Sequence, residues 1–402
     1  MRGADIVRNP LPEHTLRGRE ITLELTPNQR RFISENANLS TPYLVTDIDV
    51  VADRYSALAA ALPGVKLHYA VKSNPSPAVL ARVLELGGRF DVASPGEIDL
   101  CLAAGARADQ ISYGNTIKKR ADIASAYAIG IRLFSFDADA ELDKLIELAP
   151  EATVMCRVLT SGGGADWPLS RKFGCEPEMA VELLTRAAAA GLKTGLAFHV
   201  GSQQRRPEAF DEVLYEVGGV VRELSDRGIT LSVLNLGGGF PATYLDAVPE
   251  ASAYGGAIRA ALTRHLGPAL PDLIAEPGRY LVGDAGVIVA EVVLVSHKGD
   301  ADGRRWVFLD IGKFGGLAET MDEAIRYRIS TTHDHTAHGP VVIAGPTCDS
   351  ADVLYDKSDY HLPLALQPGD RVLIHATGAY TTTYSAVSFN GFPPLAAHDV
   401  AA

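Results

Sequence analysis

The segment HYAVKSNPSPAVL, residues 68–80, carries an apolar run to Lys72 and then breaks at once into Asn74-Pro75-Ser76-Pro77. Strand alternation puts His68, Ala70 and Lys72 on one face. A lysine in a partly desolvated pocket can lose its proton and form a Schiff base with a carbonyl carbon. Other short runs end on groups of comparable chemical interest: Asp91 in RFDVAS, Arg157 in ATVMCRVLT, His199 in LKTGLAFHV, Gly237-Gly238-Gly239 in TLSVLNLGGG and Glu276 in DLIAEP. A glycine triplet at a strand end exposes backbone N–H groups that can cradle a phosphate. Glu276 can keep a ring nitrogen protonated, and the flat ring of His199 can stack on a planar ligand. Singly, each has a plainer account: a solvated loop lysine, a satisfied core histidine, a turn that needs positive φ, a carboxylate capping a strand. Their joint occurrence at successive strand ends points to chemistry.

The elements that must position them are strands alternating with helices. Strand candidates are VKLHYAVK, RFDVAS, QISYGN, IRLFSF, ATVMCRVLT, LKTGLAFHV, TLSVLNLGGG and DLIAEP, separated by amphipathic helical stretches such as SPAVLARVLELGG. Eight such units predict a (β/α)8 barrel over residues 40–276, whose active site forms where the strands end. Beyond Glu276 the text becomes strand and turn: AGVIVAEVVLVSHKG, RRWVFLDIG, GPVVIAG, GDRVLIHATGAY. The expected fold is α/β plus β, with a second domain, a β-sandwich or β-barrel, built from residues 1–39 and 277–402. The early LRGREITLELT reads as a strand that returns to this sheet.

Composition narrows the partners. Lys and Arg number 37 against 49 Asp and Glu, a net charge of −12, and no basic cluster could track a phosphate backbone, so nucleic acid is not expected. No run approaches the roughly 20 apolar residues that span a bilayer, and no secretory leader is evident, so a soluble, cytoplasmic protein without a membrane partner is expected. Cys101, Cys156, Cys175 and Cys348 lie far apart without a C-x-x-C pair, against a disulfide framework or a zinc knuckle. No metal is expected.

Lysine, phosphate cradle, carboxylate and stacking ring together describe a site for pyridoxal 5'-phosphate, which carries the hard chemistry while the protein orients it. YAVKSN, FDVAS, FHVGSQ, NLGGGFP, EPGRYLV, GPTCDSAD and GAYTTTYSAVSFNGF then occur in the order found in the fold type III pyridoxal phosphate decarboxylases, and the chain resembles this family over about residues 40–395. The family has an alanine racemase-like barrel and acts on ornithine, lysine, arginine or diaminopimelate. The sequence is most similar to the ornithine branch.

The resemblance implies a homodimer with shared active sites and a small amino acid as substrate. Lys72 resembles the lysine that holds the cofactor, Glu276 the partner of its ring nitrogen and His199 the stacking ring. Asp91 and Arg157 resemble polar supports, and Ser202, Gly237, Gly238, Gly239, Gly278, Arg279 and Tyr380 the phosphate-binding set. Cys348 matches the cysteine that reaches across the interface to protonate the α-carbon. Asp349, where diaminopimelate decarboxylases typically carry Glu, matches the acceptor of a distal ammonium. Alanine racemases pair the ring nitrogen with arginine, so Glu276 favours decarboxylation. The segment DIGKFGGLAETMDEAIRYRI departs from the animal-type pattern, which leaves Glu319, Asp322 and Glu323 as candidates for a second distal-amine carboxylate. Phe389 is the expected pocket wall, although its spacing from Tyr380 is one residue longer than in that pattern. The expected reaction is L-ornithine to putrescine and carbon dioxide, with lysine, arginine or diaminopimelate as alternative substrates and a non-catalytic binding homologue as the rival of another class.

Overall fold

The computed structural model describes residues 25–167, 172–299 and 303–402. All eight expected strands form: β1 (Val65–Ala70), β2 (Arg89–Val92), β3 (Ile111–Tyr113), β4 (Leu133–Phe136), β5 (Thr153–Arg157), β6 (Lys193–Ala197), β7 (Val233–Asn235) and β8 (Asp272–Ala275). They close into one parallel barrel, with β8 meeting β1 so that Leu273 lies opposite Val65 and Ala275 opposite Leu67. Parallel strands are covered on both faces and so carry apolar residues on both. In β5, Val154 and Cys156 join the large core shared with the helices, while Met155 packs with Ala197, Val233 and Ile274 in a separate cluster.

The second of the prolines after Lys72, Pro77, begins a helix, Pro77–Glu85. Ser76 accepts a hydrogen bond from the Ala78 N–H at 3.2 Å, and Pro77 occupies the first turn, where its missing N–H has no partner to lose. Strand β1 stops at Ala70, and Lys72 lies in a single 3₁₀ turn, Val71–Ser73, instead of on the strand face with His68. The curl has local causes. Ser73 Oγ donates back to Ala70 O at 2.8 Å, and Tyr69 OH donates to Asn74 O at 2.8 Å.

Among the described residues the second domain is a nine-stranded, mostly antiparallel sheet whose longest strand is Gly286–His297. Its core includes Ile288, Val307, Leu309, Ile343 and Ile374. Tyr43–Asp47, inside the stretch read as barrel, is a strand of this sheet. It runs antiparallel to Gly286–His297 and parallel to Ala396–Val400. Asp47 then caps helix Ile48–Ala61 by accepting from the Asp49 N–H, and that helix packs on the barrel helices Pro77–Glu85 and Ala251–His265. Of the strand expected over residues 16–26, all but Leu25 and Thr26 lie outside the described residues, and Thr26 caps helix Pro27–Glu35. Among the described residues no helix is long and apolar enough to cross a membrane.

Candidate active site

A cleft of about 410 Å³ opens where the barrel strands end, and the strand-end residues converge on it. Lys72 Nζ stands 3.2 Å from Asp91 Oδ2. Asp91 is buried, and among the described residues its second oxygen, Oδ1, has no hydrogen-bond partner. A Cβ on Gly114 would fall 2.0 Å from that oxygen, so glycine there gives the carboxylate its room. The lysine lies deep in the protein yet is half exposed to the cleft. Burial opposes its charge, but Asp91, Tyr380 and Glu276 outweigh that and hold its pKa above the usual lysine value.

Glu276, just past β8, is raised to about 7 by burial and by the charge of Asp91, against the opposing pull of Lys72, Asn235 and Arg157. Asn235, at the end of β7, donates to Glu276 Oε1 and accepts the Gly237 N–H at 2.9 Å, so one amide fixes both the carboxylate and the glycine turn. His199 accepts the Gly201 N–H on Nδ1 at 3.0 Å, which leaves the ring hydrogen on Nε2. Burial, with Arg157 and Lys72 nearby, keeps this ring neutral.

The glycine triplet is dictated by space. A Cβ on Gly237 would lie 2.0 Å from Phe198 O, one on Gly238 2.5 Å from Glu276 O and 3.1 Å from His199 Nε2, and one on Gly239 2.4 Å from Gly201 O. Opposite, Ser202 Oγ accepts from Arg279 Nε and Nη2 at 3.3 and 3.2 Å, and the Arg279 guanidinium lies 4.9 Å from the Tyr380 ring centroid. Tyr380 holds a left-handed φ of 56°, a strained conformation for a bulky residue, and its N–H bonds to Ser73 O beside the lysine turn. Gly278 lines the same cleft, and Arg157 lies against Phe173, 4.9 Å from the ring.

Sequence reasoning missed several supports. Asn235 stands two residues before a triplet that was read for its glycines alone. Tyr244, which bonds Arg279, and Phe173 carry no local signal. Lys118, with its side chain fully buried, pins the cleft wall at Asn115–Ile117 by donating to Asn115 O at 2.8 Å and Ser135 O at 2.6 Å and pairing with Glu141 at 3.0 Å. Burial lowers its pKa to about 8.

Seven expected residues do not line this cleft in their own chain: of the glycine triplet only Gly239 does so, Gly237 and Gly238 shaping the turn behind it, and five others lie elsewhere. Cys348 and Asp349 are exposed on a turn of the β domain. Buried Asp352 anchors that turn, accepting from Lys313 N at 2.7 Å and from Thr347 Oγ1 at 2.7 Å, while Asn390 Oδ1 takes the Cys348 N–H at 3.0 Å. Phe389 packs on Phe314, ring centroids 4.7 Å apart, in an apolar groove of about 280 Å³ that also includes Thr347. Asp322 is exposed and faces Lys357 at 3.5 Å. The Glu323 carboxylate accepts the N–H groups of Asp356, Lys357 and Ser358, which turns it outward. Glu319 alone of the three acids lines the cleft.

The family model for the pyridoxal binding domain of the pyridoxal-dependent decarboxylases matches residues 48–283, and the chain belongs to this family. It is a fold type III pyridoxal phosphate-dependent decarboxylase of the group that acts on basic amino acids. The chain is 34% identical over 360 residues to the lysine/ornithine decarboxylase of Selenomonas ruminantium, covering 88% of each. It is 32% identical over 365 residues to the ornithine decarboxylase of Schizosaccharomyces pombe, covering 88% of this chain and 82% of that one. The structure of a lysine/ornithine decarboxylase from Vibrio vulnificus complexed with cadaverine matches with a TM-score of 0.82 at 34% identity, over 92% of this chain and 98% of that one. The cleft suits the cofactor on its own terms: a lysine beside an unsatisfied carboxylate oxygen, an acid that holds a proton near neutrality, and a glycine wall with no space for side chains.

Proposed function

We propose that this protein decarboxylates L-ornithine to putrescine and carbon dioxide in the cytoplasm, as a homodimer whose active sites each draw on both chains. The observation that carries the reading is the Cys348-Asp349 turn, where a thiol and a carboxylate stand side by side on a support fixed by Asp352. When bound, pyridoxal phosphate supplies an electron sink for the substrate's α-carbon. Lys72 Nζ is the covalent anchor, and Asp91 Oδ2 is its proton partner. Glu276, which holds its proton up to about pH 7, would hydrogen-bond the ring nitrogen of the bound cofactor, and the neutral ring of His199 would pack against it. Ser202 Oγ, Tyr380, Arg279 and the N–H groups of Gly238 and Gly239 would hold the phosphate, with Gly237 shaping the turn through its bond to Asn235.

The substrate carboxylate leaves as carbon dioxide, and a proton from Cys348 Sγ of the second copy takes its place on the α-carbon. Asp349 of that copy receives the distal ammonium through a charge-assisted hydrogen bond. Phe389 closes the apolar wall. The lysine/ornithine names of the relatives favour lysine as a second substrate. One methylene separates the two, typically worth only about 1 to 3 kcal/mol of discrimination. The deciding experiment incubates the cofactor-loaded protein separately with ornithine, lysine, arginine and diaminopimelate and identifies the amine formed. Putrescine as the main product is expected. Cadaverine, agmatine or lysine as the main product would replace ornithine, and no amine from any of the four would refute decarboxylation of this class.

A further inference from the structure

Among the described residues three carboxylates line the cleft, and each is engaged: Asp91 by Lys72, Glu276 by Asn235, Glu319 by Arg279. The third pairing differs in kind. The Arg279 and Glu319 side chains are 3% and 6% exposed and meet edge to edge, Nη1 to Oε2 and Nη2 to Oε1, both at 2.6 Å. Tyr244 OH adds a second partner for Nη1 at 2.7 Å. The remaining edge, Nε and Nη2, points to Ser202 Oγ. A guanidinium is a rigid planar fork, so a carboxylate clamped on one edge fixes where the other edge points. A buried ion pair gains stability only where its geometry is good, and here both bonds are short and a tyrosine completes the set.

We propose that Glu319 is a positioning residue of the cofactor site: it aims the Nε–Nη2 edge of Arg279 at the place beside Ser202 where the phosphate is held, and it is not the acceptor of the substrate's distal ammonium. The inference rests on the pyridoxal phosphate reading of the cleft. It has a corollary for selectivity. With Glu319 engaged, Asp322 facing Lys357 and Glu323 holding backbone N–H groups, recognition of the distal charge passes to Asp349 of the second copy.

Glu319→Asp keeps the charge and withdraws it by one methylene, so both Nη atoms can be met only if Arg279 leaves Ser202. Cofactor-free protein is titrated separately with pyridoxal phosphate and with pyridoxal, following the visible absorbance of the lysine-bound cofactor. The variant should raise Kd for pyridoxal phosphate by roughly tenfold, the scale of one lost charge-assisted bond, and leave Kd for pyridoxal unchanged. In an Arg279→Gln background Glu319→Asp should add no further weakening, and at saturating cofactor the ornithine to lysine ratio of KM should not move. Equal weakening of both ligands would reduce Glu319 to a packing role. Unchanged cofactor affinity with a raised KM for ornithine would make it the substrate acceptor. Should Glu319→Asp fail to fold, Glu319→Gln is read with the same two ligands, and the proposal then requires a shift confined to pyridoxal phosphate. Absence of lysine-bound cofactor in the wild type would overturn both this proposal and the reading of the cleft, and is recognisable because it needs no variant.

Discussion

The barrel mouth and the edge of the β domain treat their polar groups in opposite ways. At the mouth, Lys72, Glu276, His199 and Arg279 each have a partner that sets their orientation, and Arg279 is buried while Glu276 and His199 are partly so. At the edge, Cys348 and Asp349 are exposed: Asn390 Oδ1 takes the Cys348 N–H, and the Asp349 carboxylate accepts the Ala351 N–H at 2.8 Å through Oδ1. Buried Asp352 packs so closely there that a Cβ on Gly312 or Gly345 would lie 2.1 or 2.4 Å from one of its oxygens. The turn is rigid while its reactive tip is open. One region closes around its polar groups, and the other leaves a thiol and a carboxylate open to solvent. The proposed assembly of the site from two copies would need this division, because each half must hold its shape before the other arrives.

The widest test of that contrast removes one group from each region. Lys72→Ala should abolish the cofactor's lysine-bound absorbance and lower turnover at least about a thousandfold. Mixing it with inactive Cys348→Ala chains should recover about a quarter of the wild-type activity through hybrid dimers, each with one intact site. No recovery after verified subunit exchange would mean that each chain completes its own site. Cys348→Ala by itself should slow turnover by about 10² to 10⁴, the range for a lost general acid, while pyridoxal phosphate affinity stays constant. A parallel loss of cofactor would join the two regions that the comparison separates.

If Asp349 receives the distal ammonium as proposed, Asp349→Ala should cost roughly 2 to 5 kcal/mol in kcat/KM for ornithine, because that ammonium would be left unpaired. An intact rate would remove Asp349 from substrate recognition. The smallest effect belongs to the barrel mouth and is read from pH. Folded Glu276 binds its proton more tightly than the unfolded chain does, with a pKa of about 7 against 4.5. Its contribution to the stability of the cofactor-free protein is therefore complete below pH 4.5 and is lost as the pH rises through about 7. Glu276→Gln should flatten that slope in urea titrations. An unchanged slope would assign it to Asp91, whose pKa burial also raises.

Periodicity was enough to locate every barrel strand, since each is a short apolar run that ends in a turn signal. It misjudged Lys72 by one turn, because the curl depends on Ser73 and Tyr69 bonding to the backbone. Tyr43–Asp47 was not separable from the barrel by pattern: its partners lie at the far end of the chain, and a fully buried strand reads alike in either domain. Local text is equally silent on Asn235, Tyr244 and Glu319, whose partners are distant in sequence. The acids at 319–323 show the limit plainly. Three carboxylates within five residues look interchangeable on paper, yet one grips an arginine, one faces a surface lysine and one holds a backbone loop.

Tyr43–Asp47 also sets an order of events during synthesis. The barrel strands emerge as consecutive neighbours from Val65 to Ala275, so each new strand finds its partner already made or nearly so. Tyr43 must instead wait for Val289 and then for Ala396, hundreds of residues downstream. Closing so long a loop delays its contacts, and the strand, all five residues of which are buried in the finished sheet, lacks its second neighbour until the last strand is made. The ribosome thus holds a nearly finished barrel tethered to an unpaired apolar strand, the species most exposed to mispairing with a neighbouring chain.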